Sequence, residues 1–232
     1  MAKGEVLPVQ ANQMHVREHT SILADAERRL LVRIAQHMPR WINSDHLTLL
    51  GLGAMCMAGL SYWAASRNRI ALVGVVLALA LNWFGDSLDG TLARVRNRQR
   101  PRYGFYVDHV IDLVGTFFLL GGLALSGYMS PLLALGLLVA FLMVEAEVYL
   151  ATNVRGVFRL AFLKVGPTEL RIILAIGTLY LLYKPWVMLP GVGRFLLFDV
   201  GGVVSIAGMA MTLVVSAIRN TRDLYIAETL PR

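Results

Sequence analysis

The sequence predicts an all-α integral membrane bundle of six transmembrane helices, preceded by an N-terminal amphipathic helix on the membrane surface. Of the 232 residues, 56% are hydrophobic and only 16% are charged, and the mean hydropathy is +0.60. Soluble domains carry more charge, about 25%, so this composition is typical of membrane proteins. The apolar residues also fall into stretches close to the roughly 20 residues that a helix needs to cross a bilayer.

Residues 1–42 precede the first apolar stretch and are predicted to form a tail over 1–17 and a helix over 20–38. The apolar positions of this helix recur at helical spacing, with arginines between them: Leu23, Ala26, Leu30 and Ile34. Pro39 follows its end. A basic amphipathic helix of this kind commonly lies on the membrane surface. Packing on the transmembrane bundle is the alternative, and the two positions are compatible.

Six apolar stretches follow in residues 43–232, which we predict to form one domain. The stretches are 46–66, 70–92, 105–127, 131–151, 170–189 and 195–218. Short loops at 67–69 and 126–131 predict antiparallel neighbouring helices. The second stretch is apolar only as far as Gly85, so the polar residues that follow occupy its final turns.

The basic residues orient this bundle in the membrane. If both termini lie on one side of the membrane, the basic residues outside the spans on that side include Arg94, Arg96, Arg98, Arg100, Arg102, Arg155, Arg159, Lys164, Arg219 and Arg222. The other side keeps Arg67, Arg69, Lys184 and Arg194. The positive-inside rule therefore predicts a multi-pass protein with both termini at the cytoplasmic face. The net charge of +7 fits this topology better than nucleic-acid binding, and no nucleic-acid partner is expected.

Four aspartates stand at helical spacing where the second stretch ends and the third begins. Asp86 and Asp89 are three apart and share one helix face, and Asp108 and Asp112 are four apart and share a face of the next helix. Four carboxylates converging beside a bilayer are costly unless a cation gathers them. Hard oxygen ligands suit Mg²⁺ or Mn²⁺. Two such ions would flank a pyrophosphate and stabilise both its attacking and its leaving oxygen.

The pattern D-x2-D-G-x2-A-R, followed by a linker and G-x3-D-x3-D, resembles the signature of the CDP-alcohol phosphotransferase (CDP-alcohol phosphatidyltransferase) family. Its fixed positions are filled by Asp86, Asp89, Gly90, Ala93, Arg94, Gly104, Asp108 and Asp112. The linker is one residue longer than is common in the family. The resemblance implies a membrane phospholipid-synthesis enzyme that transfers a substituted phosphoryl group from a CDP-linked donor to an alcohol and releases CMP.

The resemblance also implies roles for the aspartates. Asp86, Asp89 and Asp108 match the principal metal ligands, and Asp112 matches a fourth aspartate that acts as general base and joins the metal site. An alcohol is a poor nucleophile at neutral pH, so a nearby carboxylate polarised by metal is a reasonable proton acceptor. The spacing by itself leaves open which carboxylate is the base and which are only ligands.

Further positions are candidates for nucleotide or phosphate binding: Thr48, Gly90, Ala93, Arg94 and Gly104. Gly90 and Ala93 are small, which permits close approach of a nucleotide or close packing of a helix. Arg94 suits bidentate binding of a phosphate, or it is one of the topological charges. The segment before Thr48 departs from relatives, which often carry Pro-Asn where Ser44 and Asp45 stand here.

Four charged residues in the later stretches are candidates for binding the acceptor alcohol: Glu145, Glu147, Glu169 and Arg171. Buried carboxylates are costly and therefore indicate function, and an acidic lining would suit a cationic head group. Internal pairing, such as Glu147 or Glu169 with Arg155 or Arg171, is the alternative.

Two substrate arrangements fit the motif. CDP-diacylglycerol with a small polar alcohol is favoured, and a CDP-choline or CDP-ethanolamine type of donor with diacylglycerol is the alternative. A cation transporter with an acidic intramembrane site is the rival from another class, and it would place carboxylates near the bilayer midplane in broken helices. Relatives are commonly homodimers, and Gly201 and Ser205, four apart, permit close contact between helices.

The predicted topology can be tested by thiol labelling after Cys56 has been replaced by serine. Single cysteines at positions 97 and 220 should react with a membrane-impermeant reagent only from the cytoplasmic side, because both lie in the arginine-rich ends. A cysteine at position 68 should react only from the opposite side. Labelling of position 97 from outside intact cells would overturn the orientation.

Overall fold

The computed structural model describes residues 24–155 and 167–228 of the chain. Within them the helices are α1 (Ala24–His37), α2 (Ser44–Ala65), α3 (Ala71–Val95), α4 (Pro101–Ala124), α5 (Pro131–Arg155), α6 (Pro167–Tyr183) and α7 (Leu197–Ala227), with strands β1 (Trp186–Leu189) and β2 (Gly193–Leu196). The predicted tail over 1–17 and the predicted helical residues 20–23 lie outside the described residues. So do Arg159 and Lys164, which belong to the topology argument.

Five of these helices, α2, α3, α4, α5 and α7, are long and apolar enough to cross a membrane. A multi-pass, predominantly helical membrane bundle is therefore confirmed, while the count of six spans is not. The predicted stretch 170–189 was too long at its C-terminal end, since α6 has 17 residues and stops at Tyr183. Pro185 stands two residues after Tyr183. Proline lacks the backbone N–H that a continuing helix requires, so the helix cannot extend through it.

A short β-hairpin stands between α6 and α7, in a bundle that otherwise fits the all-α expectation. Strands β1 and β2 are antiparallel, with Trp186 opposite Leu196 and Leu189 opposite Gly193. Gly191 in the turn has φ +75° and Gly193 at the start of β2 has φ +127°, conformations that L side chains rarely adopt. Strand β1 is entirely apolar, and short apolar runs of this kind do not separate strand from helix by periodicity.

Helix α1 packs on the bundle through its apolar face. Leu31 and Ala35 are buried and lie in one cluster with Leu47 of α2 and with Leu88 and Leu92 of α3. The alternative of a packed N-terminal helix therefore holds for the described residues. A simultaneous position on the membrane surface stays a prediction.

Helix α2 packs directly against α3 and α4, because one glycine contact brings its backbone against each of these two neighbours. A Cβ atom added to Gly85 of α3 would lie 2.6 Å from the carbonyl oxygen of Leu47. A Cβ added to Gly122 of α4 would lie 1.9 Å from the carbonyl oxygen of Gly59. Small residues of this kind permit the close backbone approach common in membrane helix packing.

At the end of α2 far from the aspartates, side chains tie α6 to the bundle. Tyr62 Oη and Thr178 Oγ1, both fully buried, lie 2.6 Å apart. Arg69 donates to the carbonyl oxygen of Leu182 at 2.9 Å, which satisfies a terminal carbonyl group of α6. Helix α6 therefore lies against the bundle at this end as well.

The glycine contact of α4 can be tested with two adjacent substitutions. Gly122→Ala should lower Tm, because its Cβ has no room beside Gly59, and overpacking costs about 1–3 kcal/mol or more. Gly121→Ala is the matched control, since a Cβ there meets nothing within 4 Å, and alanine favours a helix over glycine by about 1 kcal/mol. Thermal unfolding in one detergent compares them, and equal Tm values would contradict the contact.

Candidate active site

Three of the four aspartates converge between the C-terminal half of α3 and the N-terminal half of α4. One carboxylate oxygen from each of Asp86, Asp108 and Asp112 lies within 4.8 Å of the others. Asp86 and Asp108 are half-buried and Asp112 is exposed. The cluster is therefore acidic, built from two helices and open on one side.

The chain reverses direction tightly between these two helices, which makes the convergence possible. Two residues beyond the end of α3, Asn97 is in a left-handed conformation, φ 53°, and the Arg98 amide donates to the carbonyl of Ala93 at 2.9 Å, as in a helix C-cap. Pro101 occupies the first turn of α4, where its missing N–H costs nothing. The short connection returns α4 antiparallel to α3, with its aspartates beside Asp86.

The residues of the cluster fit a hard divalent cation. All three donors are carboxylate oxygens, the ligand type that Mg²⁺ and Mn²⁺ prefer. Opposite ligands of an octahedral Mg²⁺ ion lie about 4.2 Å apart, at twice about 2.1 Å, so the observed spacing is within a small side-chain adjustment of coordination.

Asp89 stands outside this group and is held by the first turn of α2. Its Oδ2 accepts from Thr48 Oγ1 at 2.6 Å, and its backbone carbonyl accepts from Ser44 Oγ at 2.8 Å. Its Oδ1 accepts from the amide of Gly90. Thr48, a nucleotide candidate in the sequence, here fixes the orientation of an aspartate.

Arg171 of α6 reaches into the cluster and pairs with Asp86. The distance from Arg171 Nη2 to Asp86 Oδ2 is 2.6 Å, and the side chain is 17% exposed for Arg171 and 25% exposed for Asp86. This guanidinium offsets part of the negative charge that the three aspartates concentrate. In the sequence Arg171 is a candidate for acceptor binding, with pairing to Glu147 or Glu169 as the alternative, and no local spacing connects positions 86 and 171.

The remaining nucleotide candidates lie at the rim of the cluster. Arg94 is exposed and folds back, donating to Thr91 Oγ1 at 3.0 Å. A Cβ on Gly90 would lie 3.4 Å from Arg94 Nη1, so the glycine leaves room for the guanidinium. Ala93 is half-buried, while Gly104 is exposed and a Cβ there would meet nothing within 4 Å.

The acceptor candidates separate into two places. Glu145 of α5 is buried and, like Arg171, lies close enough to Asp112 to interact with it electrostatically. Glu169 is half-buried in the first turn of α6. Glu147 faces α7 instead, where its Oε1 accepts from Ser216 Oγ at 2.8 Å and Asn220 Nδ2 at 2.7 Å.

Two arginines have structural contacts that the sequence did not indicate. Arg96 donates to the carbonyl oxygens of Met38 and Pro39 at 2.8 and 2.9 Å and to that of Ile42, which joins the α1–α2 connection to the end of α3. Arg100 donates to Asp45 Oδ2 at 2.6 Å, and this hydrogen bonding raises the pKa of Arg100. Nothing local distinguishes either residue from the neighbouring arginines.

A third missed residue is Glu27 of α1. Its carboxylate accepts hydrogen bonds from Trp83 and Ser87 of α3 and from Thr168 of α6. In the sequence Glu27 is one acid in a polar helix turn. Its three hydrogen-bond donors come from distant segments of the chain, so no local pattern could have predicted these contacts.

The geometry has a counterpart among known proteins. The family model for CDP-alcohol phosphatidyltransferase matches residues 41–218, well over half of the chain and all four aspartates. The chain belongs to this family. No curated protein shows a significant match to it. Members of the CDP-alcohol phosphatidyltransferase family transfer a phosphatidyl group from a CDP-linked donor to an alcohol, and dependence on a divalent metal is general among them.

Proposed function

We propose that this CDP-alcohol phosphatidyltransferase is a phospholipid-synthesis enzyme that transfers a substituted phosphoryl group from CDP-diacylglycerol to a polar alcohol and releases CMP. The observation that carries the proposal is the meeting of Asp86, Asp108 and Asp112 within 4.8 Å in a chain of this family. Asp89, held beside them by Thr48, completes the set of four carboxylates.

The four aspartates would hold Mg²⁺ or Mn²⁺, two ions in this proposal, which neutralise the pyrophosphate and the charge that develops during transfer. The acceptor hydroxyl oxygen forms a bond to the phosphorus of the transferred group while the bond from that phosphorus to CMP breaks. Asp112 takes the hydroxyl proton as general base. Its exposure among the three clustered aspartates supports this role, because an incoming alcohol must reach the base.

Nucleotide and phosphate binding is assigned to the rim on the α2 and α3 side. Arg94 would turn from Thr91 to a phosphate, a bidentate partner that suits its planar guanidinium. Gly90, Ala93 and Gly104 offer little side-chain bulk, which supports close approach of the nucleotide. Thr48 would contribute through Asp89, which it already holds.

Acceptor binding is assigned to the α5 and α6 side. Glu145 and Arg171 support this assignment because both interact electrostatically with Asp112, the proposed base. Glu169 stands two residues before Arg171 on α6. The contacts of Glu147 with Ser216 and Asn220 favour internal pairing for that residue.

The donor can instead be a CDP-choline or CDP-ethanolamine type of molecule, with diacylglycerol as the acceptor. The acidic Glu145 near the proposed base would suit a cationic head group in either arrangement, as part of the donor or as the attacking alcohol. Measuring CMP release with each combination of donor and acceptor distinguishes the two arrangements.

A cation transporter is the candidate from another class, and the structure disfavours it. Transport sites of this type use interrupted helices near the bilayer midplane. Here α3 and α4 continue unbroken through their aspartates, and Asp86 and Asp108 lie about two to three turns from the arginine-rich connection between these helices.

We further infer that α6 is the sixth span, with both termini at the cytoplasmic face. Its first turn contacts Glu27 beside the aspartates, and its end receives Arg69 from the opposite end of the bundle. Its 17 residues correspond to about 26 Å, at the lower limit for crossing a bilayer. The labelling experiment with cysteines at positions 68, 97 and 220 tests this arrangement.

The proposal includes a homodimer. Gly201 and Ser205 lie on an exposed face of α7, and a Cβ on Gly201 would meet nothing within 4 Å, so a second helix can approach closely there. Native mass measurement in mild detergent should give two copies, and an active protein that is strictly monomeric would refute this part.

The proposed reaction is tested by CMP release from the purified protein, with CDP-diacylglycerol and a panel of polar alcohols. Release is expected to stop in a chelator and to return with Mg²⁺ or Mn²⁺, because the carboxylates need the cation to bind the pyrophosphate. Full activity in chelator would contradict the metal site. Faster release from CDP-choline with diacylglycerol would establish the alternative donor.

The general base is separated from the ligands by two isosteric substitutions. Asp112→Asn keeps the size and a coordinating oxygen of the side chain but cannot accept a proton, so as the base it should bind metal and donor nearly normally but lose about 10²–10⁴-fold in turnover. A loss of metal affinity as severe as that of Asp89→Asn would instead identify Asp112 as primarily a ligand. Asp89→Asn should weaken metal binding itself, since the site loses a negative charge. Calorimetric metal titration is paired with single-turnover CMP release. Near-wild-type turnover of Asp112→Asn would rule out the base assignment.

A further inference from the structure

Glu27 of α1 joins α3 to α6 through a single carboxylate oxygen. Its Oε1 accepts from Trp83 Nε1 at 2.7 Å and from Ser87 Oγ at 3.3 Å, both on α3. The same oxygen accepts from Thr168 Oγ1 at 2.9 Å, in the first turn of α6. Three donors from two helices therefore meet on one atom of a third helix.

The two helices that Glu27 joins are the ones that carry the Asp86–Arg171 pair. Ser87 directly follows Asp86 on α3, and Thr168 lies about one turn before Arg171 on α6. Arg171 spans the same gap between α3 and α6, and its guanidinium nitrogen Nη2 lies 2.6 Å from Asp86 Oδ2. A change in the separation of the two helices at Glu27 must therefore change the distance that Arg171 has to bridge.

We propose that Glu27 is a positioning residue, which fixes α6 against α3 and thereby sets the geometry of the Asp86–Arg171 pair. The inference rests on the proposed function, because it takes Asp86 to be a metal ligand. Arg171 orients one oxygen of Asp86, and removing such an outer partner of a ligand typically costs about 10–100-fold in metal affinity or activity. Glu27 precedes the family-matched region, so family membership assigns it no role.

Three variants of the full chain test the inference, each titrated with Mn²⁺ by calorimetry without substrate and then assayed for CMP release. Glu27→Ala removes the shared acceptor and should weaken Mn²⁺ binding about tenfold, with a similar loss in kcat. Glu27→Gln keeps a side-chain oxygen that accepts from the same neutral donors, so both values should return close to wild type. Thr168→Val cuts only the contact with α6 and should give an intermediate loss.

Two matched controls separate positioning from simple packing of α1. Leu31→Ala loosens the apolar contact of α1 with Leu88 and Leu92 but touches none of the hydrogen bonds, so it should lower Tm with little change in Mn²⁺ affinity. Asp25→Ala removes an exposed acid from the same helix and should change neither value.

An unchanged Mn²⁺ affinity in folded Glu27→Ala would overturn the inference. So would a Leu31→Ala variant that reproduces the loss, because α1 would then act through packing alone. Should Glu27→Ala fail to fold, Thr168→Val decides, and unchanged Mn²⁺ affinity there also overturns it. A wild type that binds Mn²⁺ but releases no CMP contradicts the proposed function, while the titrations still decide the role of Glu27.

Discussion

The close approach of the α2 backbone to α3 and α4 is the constraint on which the site depends. At Gly85 and Gly122 the neighbouring backbones occupy the space that a Cβ would need, so the distance and rotation of both helices about α2 are fixed by direct contact. The contact at Gly85 adjoins the motif itself. It holds the first turn of α2 against Asp89, where Thr48 and Ser44 form their hydrogen bonds.

Concentrating carboxylates beside an apolar bundle is costly, and the structure compensates each acid differently. Asp86 is paired with the guanidinium of Arg171, and Asp89 is satisfied by a hydroxyl and an amide. Asp112 is exposed on one side of the cluster, and Arg171 lies close enough to offset part of its charge. Because the compensation comes from α2 and α6 as well as from α3, the acidic cluster holds together only when these helices are assembled.

Arginines that look alike in the sequence have different roles in the fold. Arg96 donates to carbonyl groups at the end of α1, Arg100 pairs with Asp45 of α2, and Arg94 lies over Gly90 at the rim of the site. Arg96, Arg100 and Glu27 connect α1 and the start of α2 to the helices that bear the aspartates. The end of the bundle that bears the aspartates is therefore a polar network in which α1 takes part, because buried or half-buried charges require partners.

The sequence by itself determined the membrane bundle, the family signature and the pairing of aspartates on helix faces, because all of these depend on composition or on local spacing. Only the tertiary structure decided that Asp86 joins Asp108 and Asp112 while Asp89 turns to Thr48. Positions three apart on a helix differ by about 60° in direction, and the rotation of α3 against α2 selects which one faces α4. The partners of Arg171 and Glu27, and the hairpin that ends α6 early, likewise follow from contacts between distant segments.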